Sequence, residues 1–417
     1  MILEIINIGD ELLIGQVINT NAAWMAEQLN LNGFRVHQFT VISDSRVHIL
    51  QALAEAETRA EIVLMSGGIG PTKDDITKHT LCEFFNTRLV FNQEAYRDVE
   101  AMFARRGFAM TELNRQQAEL PEGCTGLPNT LGTARGMWFE KDRLAGGKTI
   151  FVSMPGVPFE MKSMMTQQVI LRLKQRFHTP FIYHKTILTQ GIGESFLAEQ
   201  IADWENKLPE NIKLAYLPQP GIVRLRLTGM GNEEQILHQQ VDAEVVKLES
   251  LIAEYIFGYD DETLEAIIGR ILKEKNAMLA TAESCTGGYL AHLITGIPGS
   301  SAWFKGSVVA YSNEVKEKIL GVKAESILKF GAVSKQVVTE MAVSLQTRFD
   351  ADYVIATSGI AGPDGGTPEK PVGTTWIAIA SPDEVFAMNY LFGDNRERNI
   401  RRTALQALNL LRKKLMQ

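Results

Sequence analysis

The stretch EIVLMSGGIGPTKDDIT, residues 61–77, indicates how the N-terminal part of this chain folds. An apolar run of strand length leads into a glycine-rich loop, and a helical pattern begins at Thr77. Consecutive glycines allow backbone N–H groups to converge on an anion, and parallel sheets bind ligands at the carboxyl ends of their strands. The stretch therefore predicts a strand, a ligand-binding loop and a helix of a parallel sheet.

The same alternation continues on the N-terminal side of this stretch. A strand pattern, MILEIINIG, begins the chain, and a helical pattern, a second strand pattern and a second helical pattern follow it. Strands that alternate with helices are typical of βαβ units. The loop GDEL, residues 9–12, follows the first strand, so we expect it at the same sheet edge as the glycine-rich loop. This domain is predicted over residues 1–172.

Two further parts follow along the chain. Short alternating runs split by proline and glycine, together with two helical patterns, predict a small α+β module over residues 180–257. Strand and helix patterns alternate again after residue 260, which predicts a second α/β domain over residues 260–417. The sequence therefore predicts an α/β protein with a small connecting module.

Composition limits the classes of partner. A net charge of −7, with the basic residues scattered along the chain, argues against nucleic-acid and membrane partners. Cys82, Cys124 and Cys285 are odd in number and far apart, so they predict neither a disulfide framework nor a CxxC metal site. The N-terminus carries Glu4 and Asp10 without a basic leader, and no run of about 18 uncharged apolar residues occurs. We expect a cytoplasmic protein.

Three familiar motifs are excluded. The run AGGKTI resembles the end of a phosphate-binding P-loop, but Asp142 occupies the position of the required first glycine. GIGESF lacks the third glycine of a dinucleotide-binding loop, and none of the seven histidines belongs to an HExxH zinc motif. Nucleoside triphosphatase, simple NAD-binding and zinc-protease functions are therefore not expected.

Acidic residues accompany the glycine-rich loop. Asp74 and Asp75 lie in it, and Asp10 and Glu11 follow the first strand. Carboxylates beside a phosphate-binding loop are the ligands that an Mg²⁺-type ion needs to bridge a phosphorylated substrate. The alternative is a tight turn in which the acids cap the next helix, with Thr77 as a further cap.

The stretch TAESCTGG places Ser284 and Cys285 side by side at a predicted strand-to-helix turn. A cysteine nucleophile normally needs a histidine, and the only histidine of this domain, His292, lies two turns into the following helix. A serine without histidine needs another base, and Lys316 in YSNEVK is the candidate, with Tyr311 at the end of the preceding strand. The alternative is that Ser284 is a helix N-cap and Lys316 an exposed lysine.

Longer matches resemble a known family. The loop GGIGPTKDDIT resembles the GGTGxxxxDxT signature of molybdopterin-binding domains, with Ile69 in place of the usual threonine. The stretches LPNTLGTARGMW and MPGVPFEM are similar to the CinA branch, competence/damage-inducible protein A, except that Arg135 replaces a proline. TAESCTGG, GSSAWFKGSVVAYSNEVK and TSGIAGPDGGTPEKPVGT are similar to the CinA C-terminal domain, the nicotinamide mononucleotide deamidase PncC. The resemblance implies a three-layer α/β/α N-terminal domain and a C-terminal α/β deamidase domain.

For the C-terminal domain, the resemblance implies a Ser-Lys amidohydrolase that needs no cofactor and converts nicotinamide mononucleotide to nicotinate mononucleotide and ammonia. Ser284 would be the nucleophile and Lys316 the base, with Tyr311 beside them. The substrate is expected to contact Thr286, Gly287, Gly288, Ser358, Gly359, Gly362, Arg396 and Arg398. Arg396 is the first choice for the phosphate and Arg398 the reserve, because this chain reads GDNR where the family reads GDR.

For the N-terminal domain, the resemblance implies an ADP-ribose pyrophosphatase that needs Mg, Mn or Co and forms AMP and ribose 5-phosphate. The loop residues expected to contact substrate are Gly67, Gly68, Gly70, Asp74 and Thr77, and the expected metal ligands are Asp10, Glu11 and Asp75. The family also implies a homodimer that acts in pyridine nucleotide recycling. Two alternatives stay open: a molybdopterin-binding enzyme of molybdenum cofactor synthesis, and a noncatalytic protein of competence or DNA damage.

Overall fold

The structure is a computed structural model that describes residues 1–72, 75–105, 107–143 and 146–417, and the backbone alone of Leu113. Its contacts form two compact units, Met1–Tyr183 with Met230–Leu237 and His184–Gly229 with His238–Gln417. The domain boundaries predicted at 1–172, 180–257 and 260–417 remain predictions. Within the described ranges, no helix is both long and apolar enough to cross a membrane.

The N-terminal segment contains eight strands and eight helices within its described residues. Its strands are β1 Leu3–Ile8, β2 Val36–Ile42, β3 Ile62–Ser66, β4 Leu89–Phe91, β5 Glu119–Pro121, β6 Thr125–Leu127, β7 Gly136–Asp142 and β8 Lys148–Met154. Its helices are α1 Asp10–Leu13, α2 Thr20–Leu31, α3 Arg46–Arg59, α4 Thr77–Phe84, α5 Gln93–Arg105, α6 Glu112–Gln116, α7 Pro158–Met164 and α8 Ile170–Arg176. A π-helical turn, Met165–Val169, joins α7 to α8.

These strands form a six-stranded sheet in the order β2-β1-β3-β8-β7-β6, and β4 pairs separately with β5. Strands β2, β1, β3 and β8 are parallel, whereas β7 is antiparallel to both its neighbours. Because successive strand residues face opposite sides, Leu3 packs with α2 and α7 and Ile6 packs with α3 and α4. The predicted three-layer α/β/α arrangement is therefore confirmed.

The parallel order brings the predicted loops of this domain together. Strands β1, β3 and β8 are neighbours, and their carboxyl ends lead into Gly9, Gly67 and Pro155 respectively. All three residues line one cleft at that edge of the sheet. The loops GDEL and SGGIGP thus lie where a parallel sheet places its ligand.

The middle segment forms a small four-stranded sheet. Its strands are β9 Phe181–Thr189, β10 Ile212–Gln219, β11 Ile222–Gly231 and β12 Ile256–Tyr259, and its helices are α9 Glu194–Glu205 and α10 Glu234–Ile252. The strand order is β10-β11-β9-β12, with antiparallel pairing of β10 to β11 and of β12 to β9. This is the predicted α+β module.

The C-terminal segment forms a five-stranded mixed sheet in the order β14-β13-β15-β16-β17. Its strands are β13 Leu279–Glu283, β14 Phe304–Val309, β15 Tyr353–Gly359, β16 Thr374–Ala380 and β17 Val385–Leu391. Its helices are α11 Leu264–Glu274, α12 Tyr289–Thr295, α13 Asn313–Lys318, α14 Ala324–Phe330, α15 Lys335–Phe349 and α16 Arg396–Leu415, with a 3₁₀ turn at Ser300–Ala302.

This sheet is also covered on both faces. Strand β13 is parallel to β14 and β15, whereas β16 is antiparallel to β15 and β17. Leu279 packs with α11, α12 and α16, and the next residue, Ala280, packs with α15 on the opposite face. The predicted α/β class of the C-terminal domain is confirmed.

Candidate functional site

The turn after β13 places Ser284 at the end of the central parallel strand. The Ser284 N–H donates to the Thr357 carbonyl at 3.0 Å, and the Gly287 N–H donates back to the Ser284 carbonyl at 3.1 Å. Gly287 and Gly288 have φ values of +61° and +96°, in the left-handed region that favours glycine. Helix α12 begins only at Tyr289, with Gly288 as its N-cap residue. The alternative that Ser284 is the N-cap is therefore wrong.

Lys316 meets Ser284 at this turn. Helix α13, which carries Lys316, is capped by the Ser312 hydroxyl, which accepts from the Val315 N–H at 3.2 Å. Lys316 Nζ lies 3.0 Å from Ser284 Oγ and donates to the Ala310 carbonyl at 2.8 Å. The lysine is only 2% exposed, so the alternative of an exposed lysine is wrong. Burial lowers the pKa of the Lys316 ammonium below its ordinary value, which favours the neutral amine that a general base requires.

Cys285 has a different environment from its neighbour Ser284. Its side chain is buried, and burial raises the pKa of the Cys285 thiol to about 12. A thiol with that pKa is protonated near neutrality and is a poor nucleophile. His292 is an exposed residue, and its ring stacks against the ring of Tyr289 with 6.2 Å between the centroids. The chemistry of the turn therefore favours Ser284 over Cys285.

Glu283 is a residue of this turn that the sequence interpretation missed. Its carboxylate is fully buried beneath the start of α12. It accepts backbone N–H groups from Gly288 at 3.0 Å, Leu290 at 3.1 Å and Ala291 at 2.8 Å. A carboxylate at this position satisfies N–H groups that a helix start leaves without partners. The sequence feature that could have identified Glu283 is an acidic residue at an inward-facing position of a buried strand, one residue before the candidate nucleophile.

We expect Glu283→Gln to destabilise the turn. The amide keeps the shape of the side chain but removes the charge and one acceptor from N–H groups that are buried, so the free energy of unfolding should fall by about 1–3 kcal/mol. Thermal or denaturant unfolding measures this change. Gln336→Ala, on the exposed surface of α15, is the control. An unchanged midpoint for Glu283→Gln would show that the carboxylate does not hold the turn.

Arg396 contacts Tyr311, which directly follows Ala310, the residue whose carbonyl accepts from Lys316. Its guanidinium donates from Nη2 to the Tyr311 hydroxyl at 2.9 Å and from Nη1 to the Gly362 carbonyl at 2.8 Å. The side chain of Asn395 caps α16 by accepting from the Arg398 N–H at 2.9 Å. The asparagine in GDNR is thus the helix cap. Because Arg398 lies two residues after Arg396, about 200° around the helix, the two side chains do not share a direction. The structure favours Arg396.

Strand β15 carries two of the predicted substrate contacts, Ser358 and Gly359. The Ser358 hydroxyl donates to the Ala332 carbonyl at 2.8 Å, and the residue is 1% exposed. Its neighbour Thr357 projects from the other face of β15 and meets the Thr286 hydroxyl at 2.8 Å. Ser358 follows Val354 and Ala356 in the strand alternation, so it lies on the face of the sheet that α15 covers. Its predicted contact with substrate stays a prediction.

Gly359 lies at the end of β15, against the nucleophile turn. A Cβ at this position would lie 2.8 Å from Thr375 Oγ1 and 3.1 Å from Cys285 Sγ. Both separations are closer than a side chain tolerates without displacement of its neighbours. The glycine therefore allows β15, β16 and the turn to approach closely, which is a packing role.

The N-terminal cleft has a volume of about 400 Å³ and lies against the glycine-rich loop. Gly67 and Gly68 have φ values of +120° and +67°. A Cβ on Gly67 would lie 2.1 Å from the Ile8 carbonyl oxygen, and one on Gly68 would lie 2.2 Å from Thr77 Oγ1. The Thr77 N–H donates to the Gly68 carbonyl at 3.0 Å, so Thr77 supports the loop from below. Its side chain does not cap α4.

Acidic side chains line this cleft. Asp75 accepts from the Thr72 N–H at 3.0 Å and from the Thr72 hydroxyl, and its carboxylate occupies the space beside Gly70. Glu11 also lines the cleft, together with Asp44 and Glu160, which the sequence interpretation missed. The signal for Asp44 was its place just after β2, at the same sheet edge.

Asp44 lies among other carboxylates. Burial raises the pKa of the Asp44 carboxyl, the Asp10 N–H donated to it at 3.2 Å opposes the rise, and the charges of Asp10, Glu11 and Asp75 add to it. Asp74 lies outside the described residues. Within the described part of the chain, no three His, Cys, Asp or Glu side chains are grouped closely enough to hold a metal ion. The metal ligands Asp10, Glu11 and Asp75 therefore remain a prediction.

Arg135, at the position where the family has proline, is engaged elsewhere. Its Nη2 lies 2.6 Å from Asp98 Oδ2, and its Nη1 lies 3.6 Å from Glu94 Oε2, both on α5. The guanidinium side chain is 7% exposed. Arg135 thus links α5 to the start of β7 through ion pairs, and we do not assign it a role in phosphate binding.

Comparisons with known families match almost the entire chain. The model described as "Probable molybdopterin binding domain" matches residues 4–175. The model described as "Damage-inducible protein CinA KH domain" matches residues 184–258, and that described as "CinA C-terminal domain" matches residues 261–415.

Two of the relatives that match over almost their whole length are both named CinA-like protein. The CinA-like protein of Cytophaga hutchinsonii is 47% identical over 412 residues, which cover 99% of this chain and 97% of that protein. The CinA-like protein of Flavobacterium psychrophilum is 46% identical over 417 residues, 99% of this chain and 98% of that one. A crystal structure of competence/damage inducible protein CihA from Agrobacterium tumefaciens is 38% identical and covers 37% of this chain and 96% of that chain, with a TM-score of 0.36.

Proposed function

Because this chain belongs to the CinA family, we propose that its C-terminal domain is an amidohydrolase that converts nicotinamide mononucleotide to nicotinate mononucleotide and ammonia. The observation that carries the proposal is the contact of 3.0 Å between a buried lysine, Lys316, and the Ser284 hydroxyl. A serine paired with a neutral amine is an activated nucleophile for acyl transfer. No histidine and no metal ion take part in this chemistry as proposed.

The reaction proceeds in two steps. Neutral Lys316 removes the Ser284 proton as Oγ attacks the carboxamide carbon, and the tetrahedral intermediate collapses with cleavage of the C–N bond. The Lys316 ammonium returns the proton to the leaving nitrogen, which departs as ammonia. Water then attacks the nicotinoyl ester with Lys316 again as base, and the bond from Oγ to the acyl carbon breaks to release nicotinate mononucleotide and restore Ser284.

Backbone N–H groups of the turn supply the oxyanion donors. The Gly287 and Gly288 N–H groups already donate to the Ser284 carbonyl and to Glu283. Within the described residues, the N–H groups of Cys285 and Thr286 donate to no backbone carbonyl. We therefore assign the stabilisation of the oxyanion to these two N–H groups. The substrate phosphate is assigned to Arg396, which the Tyr311 hydroxyl orients.

We also propose a second activity, divalent-metal-dependent cleavage of ADP-ribose to AMP and ribose 5-phosphate in the N-terminal cleft. Support comes from the glycine-rich loop and from the carboxylates whose mutual repulsion contributes to the raised pKa of Asp44. Hard oxygen groups of this kind suit Mg, Mn or Co, and Asp10, Glu11 and Asp75 would hold the ion, with Asp44 beside them. A bound ion would polarise the diphosphate, and the loop N–H groups from Gly67 to Gly70 would orient it.

The two activities fit one metabolic purpose. Nicotinamide mononucleotide and ADP-ribose both arise when NAD is broken down, so a chain with both activities would recycle pyridine nucleotides. We propose that the protein acts as a cytoplasmic homodimer without nucleic-acid or membrane partners. Molybdopterin binding and a noncatalytic role in competence or DNA damage are the alternatives that experiment must separate.

Incubation of the purified chain with each substrate, with and without EDTA, tests both activities. We expect ammonia from nicotinamide mononucleotide under both conditions, because the dyad needs no metal, and AMP from ADP-ribose only without the chelator. Ammonia and AMP are measured directly. Absence of ammonia release would contradict the deamidase. Tight molybdopterin binding without ADP-ribose cleavage would favour the molybdenum cofactor alternative, and salt-dependent DNA affinity without either reaction would favour the noncatalytic one.

A further inference from the structure

The loop between β15 and β16 supplies one of the contacts of Arg396. It begins at Ile360 and is closed where the Gly373 N–H donates to the Ile360 carbonyl at 2.7 Å. Residues 363–369 form its exposed tip. Gly362, whose carbonyl accepts from Arg396 Nη1, directly precedes this tip. Exposed loop segments with few contacts open most easily, so the contact with Arg396 depends on what holds the tip in place.

The side chain of Lys370 ties the tip to the rest of the domain. Its Nζ donates to the Phe330 carbonyl at 2.7 Å and to the Val333 carbonyl at 2.8 Å. Phe330 is the last residue of α14, and an ammonium is favoured at a helix C-terminus because the carbonyls there lack helical partners and carry partial negative charge. Within the described chain, residues 363–369 form hydrogen bonds only with Lys370. Lys370 therefore anchors the tip.

Val372 connects this anchor to Gly362. A Cβ on Gly362 would lie 2.6 Å from Val372 Cγ1, and one on Gly366 would lie 2.7 Å from the Val372 backbone nitrogen. Neither glycine has room for a side chain, so the two arms of the loop lie directly against each other. Because Val372 follows Lys370 closely along the chain, the lysine fixes the arm that packs on Gly362.

The two acceptors of Arg396 are uncharged. They are the Gly362 carbonyl, at 2.8 Å from Nη1, and the Tyr311 hydroxyl, at 2.9 Å from Nη2. No carboxylate of the described residues forms an ion pair with Arg396. Uncharged acceptors orient a guanidinium without neutralising it, which leaves its charge for an anion such as phosphate. The direction of this charge thus depends in part on the loop.

We propose that Lys370 is a positioning residue of the phosphate site, because its ammonium holds the loop in the form in which the Gly362 carbonyl orients Arg396 toward the substrate phosphate. Lys370 acts through Arg396 and does not itself contact the substrate. This inference rests on the proposed deamidase, since the phosphate of nicotinamide mononucleotide is the group that Arg396 would bind. Loss of Lys370 should weaken the binding of the phosphate and leave the attack by Ser284 unchanged.

The test compares wild type, Lys370→Met, which keeps the length of the side chain without the ammonium, and the control Lys335→Met at an exposed lysine of α15. Ammonia release is measured from nicotinamide mononucleotide and from nicotinamide riboside, which has the same amide and no phosphate. We expect Lys370→Met to raise KM for the mononucleotide about tenfold at nearly unchanged kcat, because the phosphate is bound alike in the ground state and the transition state. The kcat/KM for the riboside should be the same in all these proteins.

A double-mutant cycle with Arg396→Ala tests the route of the effect. If Lys370 acts through Arg396, Lys370→Met should change kcat/KM for nicotinamide mononucleotide by no more than about twofold once the arginine is absent. This comparison uses the mononucleotide alone, so it decides the question even if wild type does not hydrolyse the riboside.

Each outcome separates the positioning role from the deamidase itself. An unchanged KM in Lys370→Met would overturn the inference and leave the deamidase intact. Equal losses on both substrates, or an undiminished effect of Lys370→Met beside Arg396→Ala, would also overturn it, because they would show a general structural role. Absence of ammonia release from nicotinamide mononucleotide by wild type would remove the deamidase and the positioning role together.

Discussion

Replacement of Ser284 by alanine should abolish ammonia release from nicotinamide mononucleotide, and Lys316→Ala and the longer Lys316→Met should do the same. Loss of the nucleophile or of its base removes the covalent step, so we expect kcat to fall at least about a thousandfold. The reason is the direct contact of 3.0 Å between Lys316 Nζ and Ser284 Oγ. Ammonia release by each purified variant is the measurement, together with thermal unfolding to show that each variant is folded.

Cys285→Ala is the matched control for this prediction. It removes the other nucleophile of the turn, whose thiol stays protonated because burial raises its pKa to about 12. We expect it to retain most of the deamidase activity, with a modest loss of stability from the buried sulfur that is removed. An inactive Cys285→Ala beside an active Ser284→Ala would reverse the roles of the two residues.

The second large effect is expected from Asp75→Ala, which should remove AMP formation from ADP-ribose and leave deamidation intact. Asp75 is a proposed metal ligand, and it also accepts from the Thr72 N–H and fills the space beside Gly70. Its loss should lower the rate by more than the roughly 10- to 100-fold that is typical of residues behind a metal ligand. The measurement is AMP formation as a function of metal concentration.

Asp142→Ala provides the comparison, because it removes an exposed carboxylate at the end of β7. We expect this variant to cleave ADP-ribose at the wild-type rate. If Asp75→Ala and wild type form AMP at equal rates in the presence of metal, the assignment of Asp75 is incorrect. A loss of deamidation in Asp75→Ala would point instead to a general defect of the chain.

The pairing of Ser284 with Lys316 was accessible from the sequence for a simple reason. Each residue follows a strand of one parallel pair, and the carboxyl ends of parallel neighbours meet at one edge. The C-terminal domain has no histidine besides His292, so neither Ser284 nor Cys285 had the usual general base. Both inferences use the periodicity of the strands and helices, their order along the chain and the residue types, all of which can be read from the sequence.

Other parts of the sites depend on side-chain direction, which a linear pattern specifies less well. Thr357 contacts the Thr286 hydroxyl, a pairing that depends on the direction of both side chains and that no sequence motif indicated. Glu283 acts through a carboxylate that folds beneath α12, and Asp44 comes from a strand end that carried no recognisable motif. The sequence already ranked Arg396 above Arg398, and the start of α16 at Arg396 adds the physical reason, because it gives the two side chains different directions.

The contacts of the C-terminal site join residues at different separations along the chain, which has a consequence for the order in which these contacts form during folding. Lys316 lies 32 residues from Ser284 along the chain, whereas Arg396 lies 85 residues from Tyr311, which it contacts. Contacts between distant segments form late, because closure of a long loop costs chain entropy before the contact repays it. We therefore expect the dyad to be assembled before the phosphate-binding arginine during synthesis or refolding. Helix α16 also covers one face of the strand that leads to Ser284, so its arrival completes the packing of the dyad and supplies the phosphate-binding arginine at the same time.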